Sequence, residues 1–195
     1  MLRNKYTVSE FFSNVWSFFI TKIFYRPARL IRRPVYFRGK KYALIGKKLT
    51  IGHACRFDLQ NTKKSKSLII GDNCEFGDNV HIVSHEYVVI GNNVLIASKV
   101  FISDVSHGAY KGEEQSNPLT SPNSRELITQ PVSIGDNVWI GENVVVLSGS
   151  KIGNGSIIGA NSLVNSNIPE NSIAVGSPAK VIKFYNFNTN KWEKV

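Results

Sequence analysis

The segment Ile134-Gly135-Asp136-Asn137-Val138-Trp139-Ile140-Gly141-Glu142-Asn143-Val144-Val145-Val146 opens the pattern that decides the fold. Its anchors Ile134, Ile140 and Val146 continue as Ile152, Ile158 and Val164, six residues apart without a slip. Four places after each anchor stands a smaller or branched residue: Val138, Val144, Ser150, Ser156, Ser162 and Ile168. A period of six is neither the 3.6 of a helix nor the two of a plain strand. It suits a short strand followed by a corner. Asn and Gly tolerate positive φ, and they cluster where the corners belong, as in Gly91-Asn92-Asn93 and Gly135-Asp136-Asn137. Three strands and three corners make one 18-residue turn of a triangular prism. Stacked turns would lie about 4.8 Å apart, with the anchors piled into apolar ladders.

Working outward, the earlier half repeats the spacing more loosely. Ile70, Phe76 and Ile82 keep it, a two-residue insertion follows, and Ile90, Ile96 and Ile102 resume it; Ile51 and Phe57 look like an earlier copy. Cys55 and Cys74 occupy the small inward slot four places after Ile51 and Ile70, so both read as core thiols. The expectation is a mainly β chain: an N-terminal helix and basic segment over 1–42, a parallel β-helix over 43–183 with an excursion loop at 108–131, and a tail over 184–195.

Composition supports one folded domain with an appendage. The 195 residues are 42% hydrophobic and 19% charged, enough to exclude disorder as the main state. No apolar run reaches the roughly 20 residues of a bilayer-spanning helix. Two cysteines exclude a disulfide scaffold and a Cys-rich zinc module. The net charge of +10 is uneven: residues 1–68 carry +14 and residues 69–195 carry −4. A basic first third suits nucleic acid, a membrane surface or a phosphate-bearing substrate. No RNA-binding aromatic signature, zinc finger or basic zipper accompanies it, so nucleic acid is not expected. No secretory signal is visible, which makes the cytoplasm the expected compartment.

Residues 7–25 read as a helix, because Val8, Phe11, Phe12, Val15, Trp16, Phe19 and Ile23 recur at three- and four-residue spacing. Thr7 or Ser9 could cap it, and Pro27 and Pro34 end the pattern. With Arg26, Arg29, Arg32, Arg33, Arg38, Lys40 and Lys41 behind it, this segment could contact an anionic membrane through residues 7–41. It could equally pack on the prism or on another subunit.

After Ile102 the repeat breaks at Ser103-Asp104-Val105-Ser106-His107-Gly108-Ala109-Tyr110, and the loop runs on to about Pro131. A prism does not need this loop, and long loops on rigid scaffolds usually carry function. His107 stands where scaffold gives way to loop. An imidazole, with a reference pKa of about 6.5, can accept a hydroxyl proton at neutral pH. Asp104 could orient that ring, or bind backbone as a corner residue. Tyr110 and Arg125 on the same loop are candidates for substrate contact.

These residues carry a resemblance. Residues 43–183, with unbroken hexads ending in Ala174-Val175-Gly176-Ser177-Pro178-Ala179-Lys180-Val181-Ile182, resemble the hexapeptide-repeat acyltransferases. Val138-Trp139-Ile140-Gly141 and the tail motif are similar to the maltose/galactoside acetyltransferase branch. Pro27-Ala28-Arg29-Leu30-Ile31 through Arg38-Gly39-Lys40-Lys41 looks like the entry of polysaccharide and lipopolysaccharide O-acetyltransferases. The resemblance implies a left-handed parallel β-helix, a homotrimer with sites between neighbouring prisms, and acetyl-CoA as co-substrate. It implies His107 as the catalytic base. It implies carrier contacts at Trp139, Gly141, Glu142, Ala160 and Asn165, and Lys180 and Lys183 at the nucleotide phosphates. His85 matches an acceptor-contacting position, where an acid is usual in the family. Where many of the polysaccharide branch carry a second histidine and an acid, this chain has Val105 and Ser106, so His107 is the only base candidate in the segment.

The activity implied is acetyl transfer to a sugar hydroxyl of a cell-surface polysaccharide (O-antigen, capsule or exopolysaccharide) or its lipid-linked precursor. The alternatives are N-acetylation of an amino sugar and, in another class, a non-catalytic or zinc-dependent β-helix. No Glu/His ligand motif accompanies His53, His81 and His85, and no metal is expected.

Overall fold

A computed structural model of the chain describes residues 6–60 and 65–195. Residues 1–5, with Arg3 and Lys5, and residues 61–64, with Lys63 and Lys64, lie outside the described residues. The hexads fold as short strands in three parallel stacks that form the faces of a prism. Face A stacks Leu30–Ile31, Thr50–Ile51, Glu75–Phe76, Leu95–Ile96, Trp139–Ile140, Ile157–Ile158 and Ser172–Val175. Face B stacks Val35–Arg38, Cys55–Leu59, His81–Ser84, Phe101–Ser103, Val145–Val146 and Leu163–Val164. Face C stacks Ala43–Ile45, Leu68–Ile70, Val88–Ile90, Val132–Ile134 and Lys151–Ile152. The chain passes from A to B to C and climbs one rung at each circuit.

The anchors do what their period predicts. On face A, Ile51, Phe76, Ile96, Ile140 and Ile158 stand in register on successive rungs, all buried. Each such side chain removed from water contributes about 1.5–3 kcal/mol. Corner chemistry also follows the sequence. Asn73, Asn93, Asn137, Asn143 and Asn161 all adopt positive φ. The side-chain oxygens of Asp72, Asn92, Asp136 and Asn154 each accept from the backbone N–H of the rung below: Lys47 at 2.6 Å, Asp72 at 2.8 Å, Asn92 at 2.6 Å and Asp136 at 2.8 Å. Cys55 and Cys74 are free and buried, their thiols directed at the carbonyls of Gly77 and Gly91 at 3.1 Å. Burial pushes the Cys55 thiol up to about 11, and raises that of Cys74 as well.

One corner absorbs every insertion. Paired residues on neighbouring rungs are 18 apart at Trp139 and Ile157, 20 apart at Glu75 and Leu95, 25 apart at Thr50 and Glu75, and 44 apart at Leu95 and Trp139. The six-residue step holds from A to B and from C to A throughout, so the extra residues all fall between B and C.

The prism is closed at both ends. At the top, Lys180–Asn186 pairs antiparallel with Ser172–Val175, and Lys191–Lys194 pairs antiparallel with Lys180–Asn186. The stretch 184–195, read from sequence as a tail, is thus largely part of this hairpin. At the base lies helix α1 (Val8–Phe24), begun by a capping box in which Thr7 and Glu10 satisfy each other's backbone N–H groups. Of the packings the sequence left open, the apolar stripe does not take the one against the prism. The buried helix residues are Ser17 and Thr21. Their hydroxyls accept from the backbone N–H groups of Arg33 (3.2 Å) and Ile31 (2.9 Å), which caps the edge of the first rung. The aromatic stripe faces away from the prism.

Candidate active site

The chain leaves face B at Phe101–Ser103 and makes the insertion of 104–131 before resuming face C. Its stem is a short antiparallel ribbon in which Val105–His107 pairs with Leu127–Thr129 and His107 stands opposite Leu127. Two side chains hold the stem to the rung below. The Thr129 hydroxyl donates to Glu86 at 2.7 Å. The Asp104 carboxylate, fully buried, accepts from the backbone N–H groups of His85 (2.8 Å), Glu86 (2.8 Å) and Tyr87 (2.7 Å). Of the two roles the sequence left open for Asp104, this is the backbone one. Its oxygens are committed to the corner and make no hydrogen bond to His107.

His107 is exposed, and its Nδ1 lies 3.3 Å from the carbonyl oxygen of Pro122, the first residue of a short 3-10 helix, Pro122–Ser124. A carbonyl can only accept, so this contact is a hydrogen bond in the tautomer that carries its proton on Nδ1, which is the one that leaves Nε2 able to act as a base. The loop tip is held by a second group. The Tyr110 hydroxyl donates to the His107 carbonyl at 2.5 Å. Arg125 donates to the Tyr110 oxygen (2.8 Å) and to the carbonyls of Thr120 (3.0 Å) and Pro118 (3.1 Å). Tyr110 and Arg125, read from sequence as substrate contacts, spend these groups on shaping the loop around the histidine. Beside them opens a groove of about 270 Å³ that Ser106, Tyr110, Lys111, Gln130, Leu147 and Asn165 line.

The remaining candidates occupy a different edge. Trp139 projects outward from face A, half exposed, in register with Leu95 below and Ile157 above. Ile173 pairs with Ile157 and, in turn, with Lys183. An apolar strip therefore runs from Trp139 to a lysine about 14 Å away, three strand spacings along the sheet. Lys180 is exposed on the same hairpin strand. Gly141 and Ala160 stack at the A–B corner, where a Cβ at 141 would stand 2.6 Å from the Ala160 nitrogen. Glu142, on the same corner, pairs with Lys99 at 3.2 Å.

The structure thus brings together His107, Tyr110, Arg125 and Asn165 with the half-buried corner residue His85 on the B–C edge. It brings together Trp139, Gly141, Glu142 and Ala160 along face A and the A–B edge. It does not join the two groups, which border face B on opposite sides. Asn165 falls with the histidine and not with the other carrier candidates. Sequence reasoning missed the Pro122 carbonyl and the Arg125 clamp, because both depend on a fold-back within the loop that leaves no local periodicity.

Two other histidines have structural partners. His53 Nδ1 lies 2.9 Å from the Arg33 carbonyl, and His81 Nε2 lies 3.0 Å from Asp58. Burial raises the Asp58 carboxyl, but hydrogen bonds from His81 and Arg56 outweigh it and hold the group below its ordinary range. Among the described residues no group of three His, Cys, Asp or Glu is placed to hold a metal ion.

Residues 131–166 match the family described as "Bacterial transferase hexapeptide (six repeats)". The chain is 43% identical over 194 residues to the protein named "Putative lipopolysaccharide biosynthesis O-acetyl transferase WbbJ" of Escherichia coli K12, covering 99% of this chain and 97% of that one. It is 39% identical over 117 residues to the galactoside O-acetyltransferase of Escherichia coli K12, covering 60% of this chain and 54% of that protein. Among solved structures, a hexapeptide-repeat-containing acetyltransferase of Vibrio cholerae O1 biovar eltor, complexed with acetyl coenzyme A, superposes with a TM-score of 0.57 at 29% identity, covering 74% of this chain and 72% of that one.

Proposed function

The chain belongs to the hexapeptide-repeat acetyltransferase family, whose fold is the left-handed parallel β-helix, and from that premise we propose that it transfers the acetyl group of acetyl-CoA to a sugar hydroxyl of a cell-surface polysaccharide or its precursor. The relative matched end to end is named for O-acetyl transfer in lipopolysaccharide biosynthesis, and the superposed structure holds the acetyl donor. The observation that carries the reading is the exposed His107 ring, set at the break in the repeat with Nδ1 3.3 Å from the Pro122 carbonyl oxygen.

Bound acetyl-CoA supplies the acetyl group as a thioester. His107 accepts the proton of the acceptor hydroxyl at Nε2 as the new C–O bond forms, and returns that proton to the departing sulfur as the C–S bond breaks. The Nδ1 proton stays directed at the Pro122 carbonyl, which holds the ring in one orientation and favours the transient imidazolium. Trp139 lines the carrier arm, and Lys180 and Lys183 meet its phosphates as point charges. Gly141, Glu142 and Ala160 border that arm.

The separation of the two residue groups supports a homotrimer in which the B–C edge of one copy faces the A–B edge of the next, since neither edge holds a complete set. His85 and Asn165 lie on the histidine side, where His85 meets the acceptor and Asn165 meets the carrier across the junction. The working compartment is the cytoplasm, on the inner face of the membrane where lipid-linked acceptors are built.

The test is thiol release from acetyl-CoA by the purified protein against nucleotide sugars, oligosaccharides and lipid-linked glycans, with products mapped by NMR. An acetyl ester on a sugar oxygen is the expected product; an amide on an amino sugar would replace this reading. His107→Ala should lower turnover about 10²–10⁴-fold. Activity within tenfold of the parent, in a folded variant, would remove the base from its role.

A further inference from the structure

Helix α1 is built inside out. The side it turns to the prism is polar, and Ser17 and Thr21 use their hydroxyls to cap the first rung. The opposite side carries Phe11, Phe12, Trp16, Phe19 and Ile23, each more than half exposed. An apolar furrow of about 410 Å³ beside Phe11, Phe18, Phe19 and Leu30 opens along it. A stripe of this width ordinarily marks an interaction surface.

Charge says what covers it. Residues 7–41 hold eight Lys and Arg against one acid, Glu10. That acid is occupied by the capping box with Thr7. Arg26 is exposed just beyond the helix, and Lys40, also exposed, donates to the Phe24 carbonyl at the helix end at 2.9 Å. A second copy docking through the same face would set this basic rim against itself. Anionic headgroups complement it, and Trp and Phe beneath a Lys/Arg rim are the composition of helices that lie in a membrane interface. At 17 residues the helix spans about 26 Å at 1.5 Å per residue, short of the roughly 30 Å of a hydrocarbon core. No helix among the described residues is long and apolar enough to cross a membrane.

We propose that α1 is an interfacial anchor that lays the Phe12–Trp16–Phe19 face into an anionic lipid surface. A groove of about 550 Å³ runs from Phe18 and Arg32 along face A to Glu142. With α1 seated among headgroups, the lower end of that groove opens at the membrane. The inference deepens the reading of a lipid-linked acceptor and rests on it for that consequence alone, because anchoring is measurable without any acetyl transfer.

The test is co-sedimentation of the full chain with vesicles of phosphatidylglycerol and phosphatidylcholine in equal parts, and with phosphatidylcholine alone. Binding to the anionic vesicles, weakened by salt and about tenfold poorer on the neutral ones, is expected. The F12S/W16S/F19S variant should lose about tenfold or more in vesicle affinity, and R26E/K40E should do the same while the Phe12–Trp16–Phe19 face is unchanged. Three results overturn the proposal: equal or absent binding to both vesicle types, unchanged binding by both variants, or a smaller oligomer in F12S/W16S/F19S by analytical ultracentrifugation, which would make this face a seam between copies. Whichever holds, thiol release with a water-soluble acceptor reports separately on the proposed acetyl transfer.

Discussion

His107 and Pro122 face each other across the loop tip, with Nδ1 of the ring 3.3 Å from the proline carbonyl oxygen. The neighbour of the candidate base is therefore a backbone carbonyl and not a carboxylate. The pair exists only because residues 108–126 fold back over their own stem, so anything that loosens the loop loosens the ring.

Arg125 is the main tie in that fold-back, bridging Tyr110, Thr120 and Pro118. Arg125→Ala should lower kcat about tenfold or more while the unfolding midpoint, set by the prism, stays in place. Arg125→Lys should not restore activity, because an ammonium cannot span the same fork. Steady-state kinetics beside thermal unfolding checks this, and an unchanged kcat in Arg125→Ala would dismiss the clamp.

Asp104 should matter for stability first. Asp104→Ala leaves the N–H groups of His85, Glu86 and Tyr87 without their acceptor, and a loss of at least about 2 kcal/mol is expected in urea unfolding. The shape of the pH–rate profile should be that of the parent wherever Asp104→Ala is folded. A displaced profile would mean that the carboxylate acts on the imidazole after all.

If the histidine edge and the Trp139 edge meet only between copies, two dead variants should help each other. Co-expressed His107→Ala and Trp139→Ala chains can form mixed assemblies in which one junction holds an intact His107 and an intact Trp139. Recovered turnover well above that of either variant alone is the expected reading of a thiol-release assay. No recovery, in assemblies shown by mass to be mixed, would place both groups within one chain's site.

Cys55 gives a pH-dependent term with a definite sign. Burial moves its thiol from 9.0 to about 11, so the folded chain holds that proton more tightly than the unfolded one. The contribution is complete below 9.0 and disappears as pH rises toward about 11. Urea midpoints of the parent should fall more steeply across that window than those of Cys55→Ala. Identical alkaline slopes would contradict the buried, protonated thiol. Its reaction with a thiol reagent should likewise wait for unfolding.

Much of the architecture was legible before any coordinates. The six-residue period, the Asn and Gly corners, the small slots of Cys55 and Cys74, and His107 at the break in the repeat are all visible in the chain itself. They are visible because each rung contacts only its neighbours, so one local rule is written many times over. The capping box of Thr7 and Glu10 is local in the same way.

What the tertiary structure alone decided are the matters that hinge on distant partners. Periodicity revealed that α1 has an apolar stripe, but a stripe carries no sign of direction. Only the hydroxyls of Ser17 and Thr21 on the edge of the first rung show that the aromatic side faces out. Three residues separate Asp104 from His107 in sequence, yet its carboxylate is taken by N–H groups 17 to 19 residues away. Hydrogen bonds answer to geometry in space, and the corner reached those oxygens before the imidazole could.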